Sequence, residues 1–182
     1  MKINLFHRLC ALLCVLLLSG IDLGAAISPQ FKIHGITGDS TFSEYPDHVE
    51  VHGYNHEVTS PIDLATGQAT GKRQHRPFKI LKRLSGNSSQ FANAWVRNEV
   101  IRSAELKVLG NSPITGEVQI IYAYRFTNIR IISIRDWVVN NLEPNPATLP
   151  PLQEISFVYQ TIEWQSMPDG PVTQDTWAGA QP

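Results

Sequence analysis

The sequence predicts a mainly β fold: an antiparallel β-barrel with one flanking α-helix and a long extended loop. Three observations point there. Segments with one apolar face recur along residues 31–164 with a period of two, separated by clusters of glycine, asparagine, serine and proline. Helical spacing is sustained only once, after Gly86. Strands this regular, each with one face to bury, are best accommodated by closure, because a closed sheet leaves no unpaired edge to aggregate.

In chain order, residues 1–26 stand apart as a signal peptide or N-terminal anchor. Lys2, His7 and Arg8 form a basic start, residues 9–18 an apolar core too short to span a bilayer comfortably, and Gly24, Ala25 and Ala26 the small residues a signal peptidase needs. Cleavage is expected after Ala26. Cys10 and Cys14 are the chain's two cysteines and both lie in this segment, so a processed chain has no thiol for a disulfide, a metal or a nucleophile. What remains is long enough for one domain, expected over residues 27–165, with an irregular tail at 166–182. Fifteen basic against 16 acidic residues leave no strong field for nucleic acid or an anionic membrane.

Phe31, Lys32 and Ile33 open a strand that stops at a glycine-rich turn between Gly35 and Ser40. Val49 and Val51 share one face of the next, and Gly53 marks a bulge after which Tyr54, His56 and Val58 share a face. Residues 60–71 then form a loop far longer than a hairpin needs, running into the basic stretch of Lys72, Arg73 and Arg76. Pro77 places a strand start or an edge before Phe78 and Ile80. Asn87 with Gln90 three residues on reads as a capping box, with Phe91 above Trp95 and Ala92 above Val96 forming an apolar stripe that turns Trp95 into the core. Three long strands follow, over residues 104–108, 118–126 with a continuation at 129–135, and 155–164. A proline-rich loop at 140–151 separates the last two.

Groupings of residues that could carry chemistry are few in this chain. Gly67 and Gly71 before Lys72 approximate a phosphate-binding loop, but three residues separate the glycines where four are needed, and Arg73 stands where Ser or Thr is required. His48, His52 and His56 recur every fourth residue. In a strand that spacing puts them about 13 Å apart, too far to share an ion. No nucleophile elbow or zinc-protease motif occurs, and Glu50, Glu57, Glu105, Glu117, Glu154 and Glu163 fall opposite apolar strand positions, as on a solvated face. The expectation is therefore no enzyme, no catalytic, cofactor or metal site, no nucleic-acid partner and no small-molecule substrate.

Taken together, several stretches resemble one family, the Hcp (haemolysin-coregulated protein) tube proteins of the bacterial type VI secretion system. They are the turn with Gly35, Gly38 and Ser40; Val49-Glu50-Val51; Gly71-Lys72-Arg73-Gln74-His75-Arg76-Pro77-Phe78; Ser88 with Gln90-Phe91 and Ala94; residues 103–107; and Glu154-Ile155 with Phe157, Tyr159, Ile162 and Trp164, with a weaker echo at Asp175-Thr176-Trp177. The resemblance implies a barrel subunit that assembles with itself into hexameric rings, which stack into a hollow tube. That tube is enclosed by a sheath, tipped by a spike, secreted, and able to carry effector proteins, and the resemblance implies no cofactor. It also implies that the arm at residues 60–71 reaches a neighbouring ring: Pro61, Ile62 and Leu64 would bury apolar area there, Lys72, Arg73 and Arg76 would pair with its acidic groups, and Thr66, Gly67 and Gly71 belong to the same assembly interface. One feature departs from the family pattern. Tube proteins are loaded from the cytoplasm, whereas the leader at 1–26 implies a periplasmic stage, unless translation starts further down. An exported binding module or effector adaptor that builds no tube is the second expectation.

Overall fold

The computed structural model describes residues 27–112, 114–138 and 150–177. The segment read as a signal peptide or anchor, residues 1–26, and most of the proline-rich loop lie outside these residues. The described residues form ten strands and one helix: β1 (Gln30–Ile33), β2 (Val49–Asn55), β3 (Val58–Thr59), β4 (Gln74–His75), β5 (Phe78–Arg83), α1 (Ser88–Val96), β6 (Ile101–Asn111), β7 (Val118–Trp137), β8 (Leu152–Val158), β9 (Thr161–Ser166) and β10 (Val172–Thr176). Six of them close an antiparallel barrel in the order β7-β6-β1-β2-β5-β8, with β8 returning to β7. The bulge expected at Gly53 is the register shift between Val51 and Gly53 against β5.

The sequence suggests two segments for β7, and the structure makes them one strand of 20 residues. Its first half pairs with β9 and its second with β8. The change of partner falls at Asn128, which adopts a positive φ of 48°, a conformation asparagine tolerates better than most residues. Opposite it, the expected single strand over 155–164 divides into β8 and β9 at Tyr159 and Gln160, yet Thr127 faces Thr161 and Arg130 faces Val158 along one unbroken line. The Gln160 amide donates to the Thr127 carbonyl at 2.9 Å, and Asn128 donates to the Gln160 side chain. The tail expected to be irregular also departs from that expectation, since β10 pairs with β9 over its whole length; the alternation of Val172 and Gln174 is too short to register as a strand without its partner.

The inward faces build an aromatic centre. Phe78 lies 4.8 Å from Phe126, Phe126 5.2 Å from Phe157 and Phe157 5.8 Å from Phe31, ring centre to ring centre, in edge-on and stacked arrangements that suit aromatic quadrupoles. Val51, Ile80, Leu106, Ile155 and Ile162 fill the rest. On the outward face of β1, β6, β7 and β9, Lys32, Glu105, Arg125 and Glu163 stand opposite one another in register, alternating in sign. Arg125 Nε donates to Glu105 at 2.9 Å, and Lys107 Nζ reaches the same carboxylate at 3.7 Å.

Helix α1 corrects two expectations. Asn87 makes no side-chain cap; its Nδ2 donates to the Thr37 carbonyl at 3.0 Å, while the Gln90 side-chain oxygen accepts from the Thr37 amide at 2.9 Å. Both residues of the anticipated capping box are thus diverted to hold the glycine turn after β1. The buried face is Ser88, Phe91 and Ala94, and Trp95 and Val96 are 42% and 73% exposed. The buried positions of this nine-residue helix recur every third residue, so the i, i+4 partners Trp95 and Val96 fall outside the covered face. Below the helix N-terminus the Lys82 ammonium is wholly buried and donates to Ser85 Oγ at 2.9 Å and Ser88 Oγ at 3.1 Å. Burial pulls its pKa down.

Candidate assembly interface

The arm is a β-ribbon, not an open loop. Val58 and Thr59 pair with His75 and Gln74, Ile62 bridges Ala69, and the Thr70 amide donates to the Pro61 carbonyl at 2.9 Å. Its tip is closed by Asp63, whose carboxylate accepts from the Ala65 amide at 2.8 Å, and by Gly67, which adopts its positive φ of 70° without strain. A Cβ at Gly71 would meet Pro61 Cγ at 3.1 Å, so glycine there lets the two chains of the ribbon approach. Ile62, Leu64, Thr66, Gly67, Gly71, Lys72 and Arg76 are all exposed, Leu64 at 92%, and Pro61 is half-buried.

The root of the ribbon is tied to its own barrel. His75 is buried, with Nδ1 3.0 Å from the Tyr159 hydroxyl and Nε2 3.1 Å from the Asp175 carboxylate. His56 Nε2 lies 3.3 Å from the same hydroxyl. Trp177 stacks on His75 with ring centres 5.8 Å apart. Arg73 Nη2 donates to Asp175 at 2.8 Å and Nε to its other oxygen. Arg73, expected to meet acidic groups of a neighbour, pairs within this chain with an acid of its own C-terminal strand. Sequence alone gives no signal for this pair, because 102 residues separate its members. Paired with Arg73, the Asp175 carboxyl is held well below the usual carboxylate range. Burial pushes the Tyr159 hydroxyl up, and burial with the nearby His75 pulls His56 down. Between ribbon and barrel runs a cleft of about 630 Å³ lined by Val58, Arg73, Tyr122, Trp164, Thr173 and Gln174.

The remaining sequence candidates are not brought together. His48 precedes β2 and is buried with no partner on either ring nitrogen, His52 is exposed, and His56 joins the arm root. Among the described residues no group of three His, Cys, Asp or Glu side chains is arranged to hold a metal.

Strand direction gives the barrel two unlike ends. Both β2 and β6 run antiparallel to β1, and β9, like β6, runs antiparallel to β7. The arm, the β6–β7 hairpin and the β9–β10 turn therefore all leave from one end. At the tip of the β6–β7 hairpin, Ile114 is 92% exposed, as Leu64 is at the tip of the arm. From the opposite end leave the β1–β2 connection and, between β5 and β6, the helix with Trp95 and Val96.

Comparison with known proteins follows the same lines. The family profile described as "Type VI secretion system effector, Hcp" matches residues 31–165. A Pseudomonas aeruginosa protein described as a major exported protein is 30% identical over 139 residues, covering 76% of this chain and 80% of its own. Among solved structures, one described as an Hcp protein superposes with a TM-score of 0.74 at 22% identity, covering 82% of this chain and 97% of the other. The secreted Hcp3 protein of Pseudomonas aeruginosa gives 0.64 at 21% identity, covering 82% and 98%.

Proposed function

The chain belongs to the Hcp family of type VI secretion effectors, and from that premise we propose that it is a structural subunit of the secretion system's inner tube. It assembles with itself into hexameric rings that stack, is secreted, and carries effector proteins, with sheath and spike proteins as its other partners. The observation that carries this reading is the arm. A two-stranded ribbon is marginal in water by itself, and here residues that could have shortened to a tight turn instead hold Ile62 and Leu64 out in solvent. A surface with that cost to solubility is consistent with one that is covered in an assembly. Light scattering on the eluting protein tests it: a mass near six chains, rising with concentration as rings stack, is expected, and a monomer at high concentration overturns it.

The leader favours a second reading. A basic start, an apolar core and small residues before Ile27 are the parts of an export signal, and a periplasmic copy of the same barrel would act as a binding module or effector adaptor without building a tube. N-terminal sequencing of protein from cytoplasm, periplasm and medium separates the two. Chains beginning at Ile27 in the periplasm of cells lacking the secretion machine support the adaptor; unprocessed chains reaching the medium only through that machine support the tube.

A further inference from the structure

We propose that the cluster of His56, Tyr159, His75 and Asp175 beneath the arm is a proton-operated latch: it holds the arm root and the end of β10 on the barrel while at most one of its two imidazoles is charged, and releases them when both are. The device lies within a single chain and does not depend on how copies assemble. The first ground is what the cluster holds. β10 is an edge strand along which Val172, Thr173, Gln174 and Thr176 are exposed. Beyond its ladder with β9, its end is fastened by Asp175, through His75 and Arg73, and by Trp177. Trp177 stacks on His75, meets the Tyr159 ring edge-on at 5.3 Å and donates its amide to the Gln160 carbonyl at 2.9 Å. The root of the arm rests on the same tyrosine, with His75 Nδ1 and His56 Nε2 at 3.0 and 3.3 Å from its hydroxyl. One wholly buried side chain therefore sits under both elements.

The second ground is the number of hydrogens the cluster can place. Arg73 keeps the Asp175 carboxylate ionised, so that group only accepts, and His75 Nε2 must carry a hydrogen. While His75 is neutral its Nδ1 is bare and accepts from Tyr159, whose own ionisation burial suppresses. The single hydroxyl hydrogen is then committed, and His56 Nε2 donates to the oxygen. One added proton is accommodated: with His75 charged, Nδ1 donates to the hydroxyl, which turns to donate to a bare His56 Nε2. A second is not. Both rings then present N–H to one hydroxyl whose hydrogen has no acceptor, and two cations flank a wholly buried side chain. Asp175 stays with His75. Around His56 stand the rings of Phe78, Tyr124 and Trp164 at 5.3, 5.7 and 5.7 Å, and no carboxylate pairs with it among the described residues. Burial and the nearby His75 already favour neutral His56 in the fold, so its contribution is complete above the ordinary histidine pKa of about 6.5 and is lost as pH falls toward the lowered value. Asp175 is still ionised there. The contact that yields is the one at the hydroxyl, and His75 leaves with the arm root, Asp175 and Trp177.

Amide hydrogen exchange on the full chain reads the latch from about pH 7 to about pH 4.5, a range that spans histidine but not the lowered Asp175. Expressed as protection, the signal of the Trp177 amide and of β4 and β10 is expected to fall by about tenfold or more. Residues 104–107, which pair with both β1 and β7, should keep theirs. His56→Gln offers the hydroxyl either a donor or an acceptor and takes up no proton, so its Trp177 protection should stay within about twofold over the same range. No fall in the native chain, an equal fall in His56→Gln, or a matching fall at residues 104–107 each overturns the latch. Should His56→Gln not fold, NMR titration of the native chain decides. The His56 ring signals are expected to share their midpoint with the loss of Trp177 protection, and midpoints more than about one pH unit apart overturn the latch.

Discussion

At the scale of single residues, Asp175 decides most. Its carboxylate is the acceptor for His75, which is buried, and for Arg73, which is not. Replacing it with alanine leaves the His75 Nε2 position without a partner, an omission that costs about 1–3 kcal/mol, read as a lower urea midpoint. The pH dependence has a definite sign. Because the folded carboxyl is held below its unfolded value, the unfolded chain binds the proton first as pH falls. The stabilisation is therefore complete above the ordinary carboxylate pKa and is lost on acidification toward the lowered one. Unfolding of Asp175→Asn should accordingly differ from that of the native chain most at neutral pH, and the two curves should converge below about pH 4. Asn128 has a simpler role. A β-branched side chain at its positive φ is strained, so Asn128→Val is expected to destabilise by about 1–3 kcal/mol, whereas Asn128→Gly should be tolerated.

At the scale of elements, α1 separates buried from exposed positions. Phe91→Ala removes a side chain with no exposed surface and is expected to cost about 3–5 kcal/mol, while Trp95→Ala, four residues on, should cost about 1 kcal/mol or less. Urea titration distinguishes them. Much of the element list was legible in the sequence because alternation in β5, β6 and the first half of β7 is set by one buried face. The bulge at Gly53 was legible for the same reason. What was not legible depends on partners distant in sequence: β10 exists because β9 lies beside it, and the Asn87 cap is lost because Thr37, 50 residues earlier, claims the side chain. The arm was legible as a long polar insertion. That it is a ribbon, and that Arg73 turns inward, follows from Asp175 and from the Ile62–Ala69 bridge, which no local pattern encodes.

At the scale of the whole molecule, the arm is dispensable to the barrel. No arm residue between Ser60 and Gln74 belongs to the buried core, so joining Ser60 to Arg73 through an Asn-Gly turn, which suits a two-residue hairpin, should shift the melting temperature by only a few degrees and abolish stacking. Calorimetry with light scattering checks both halves.

The alternating charges across β1, β6, β7 and β9 bear on how the barrel finds its alignment. A slip of one residue would turn every apolar side chain outward and is forbidden by the core. A slip of two keeps the core face inward, and hydrophobicity alone cannot reject it. In one sense of sliding, such a slip would set Lys32 or Arg125 against Lys107 in place of Glu105, juxtaposing like charges. The polar exterior thus proofreads the mismatch to which the greasy interior is blind.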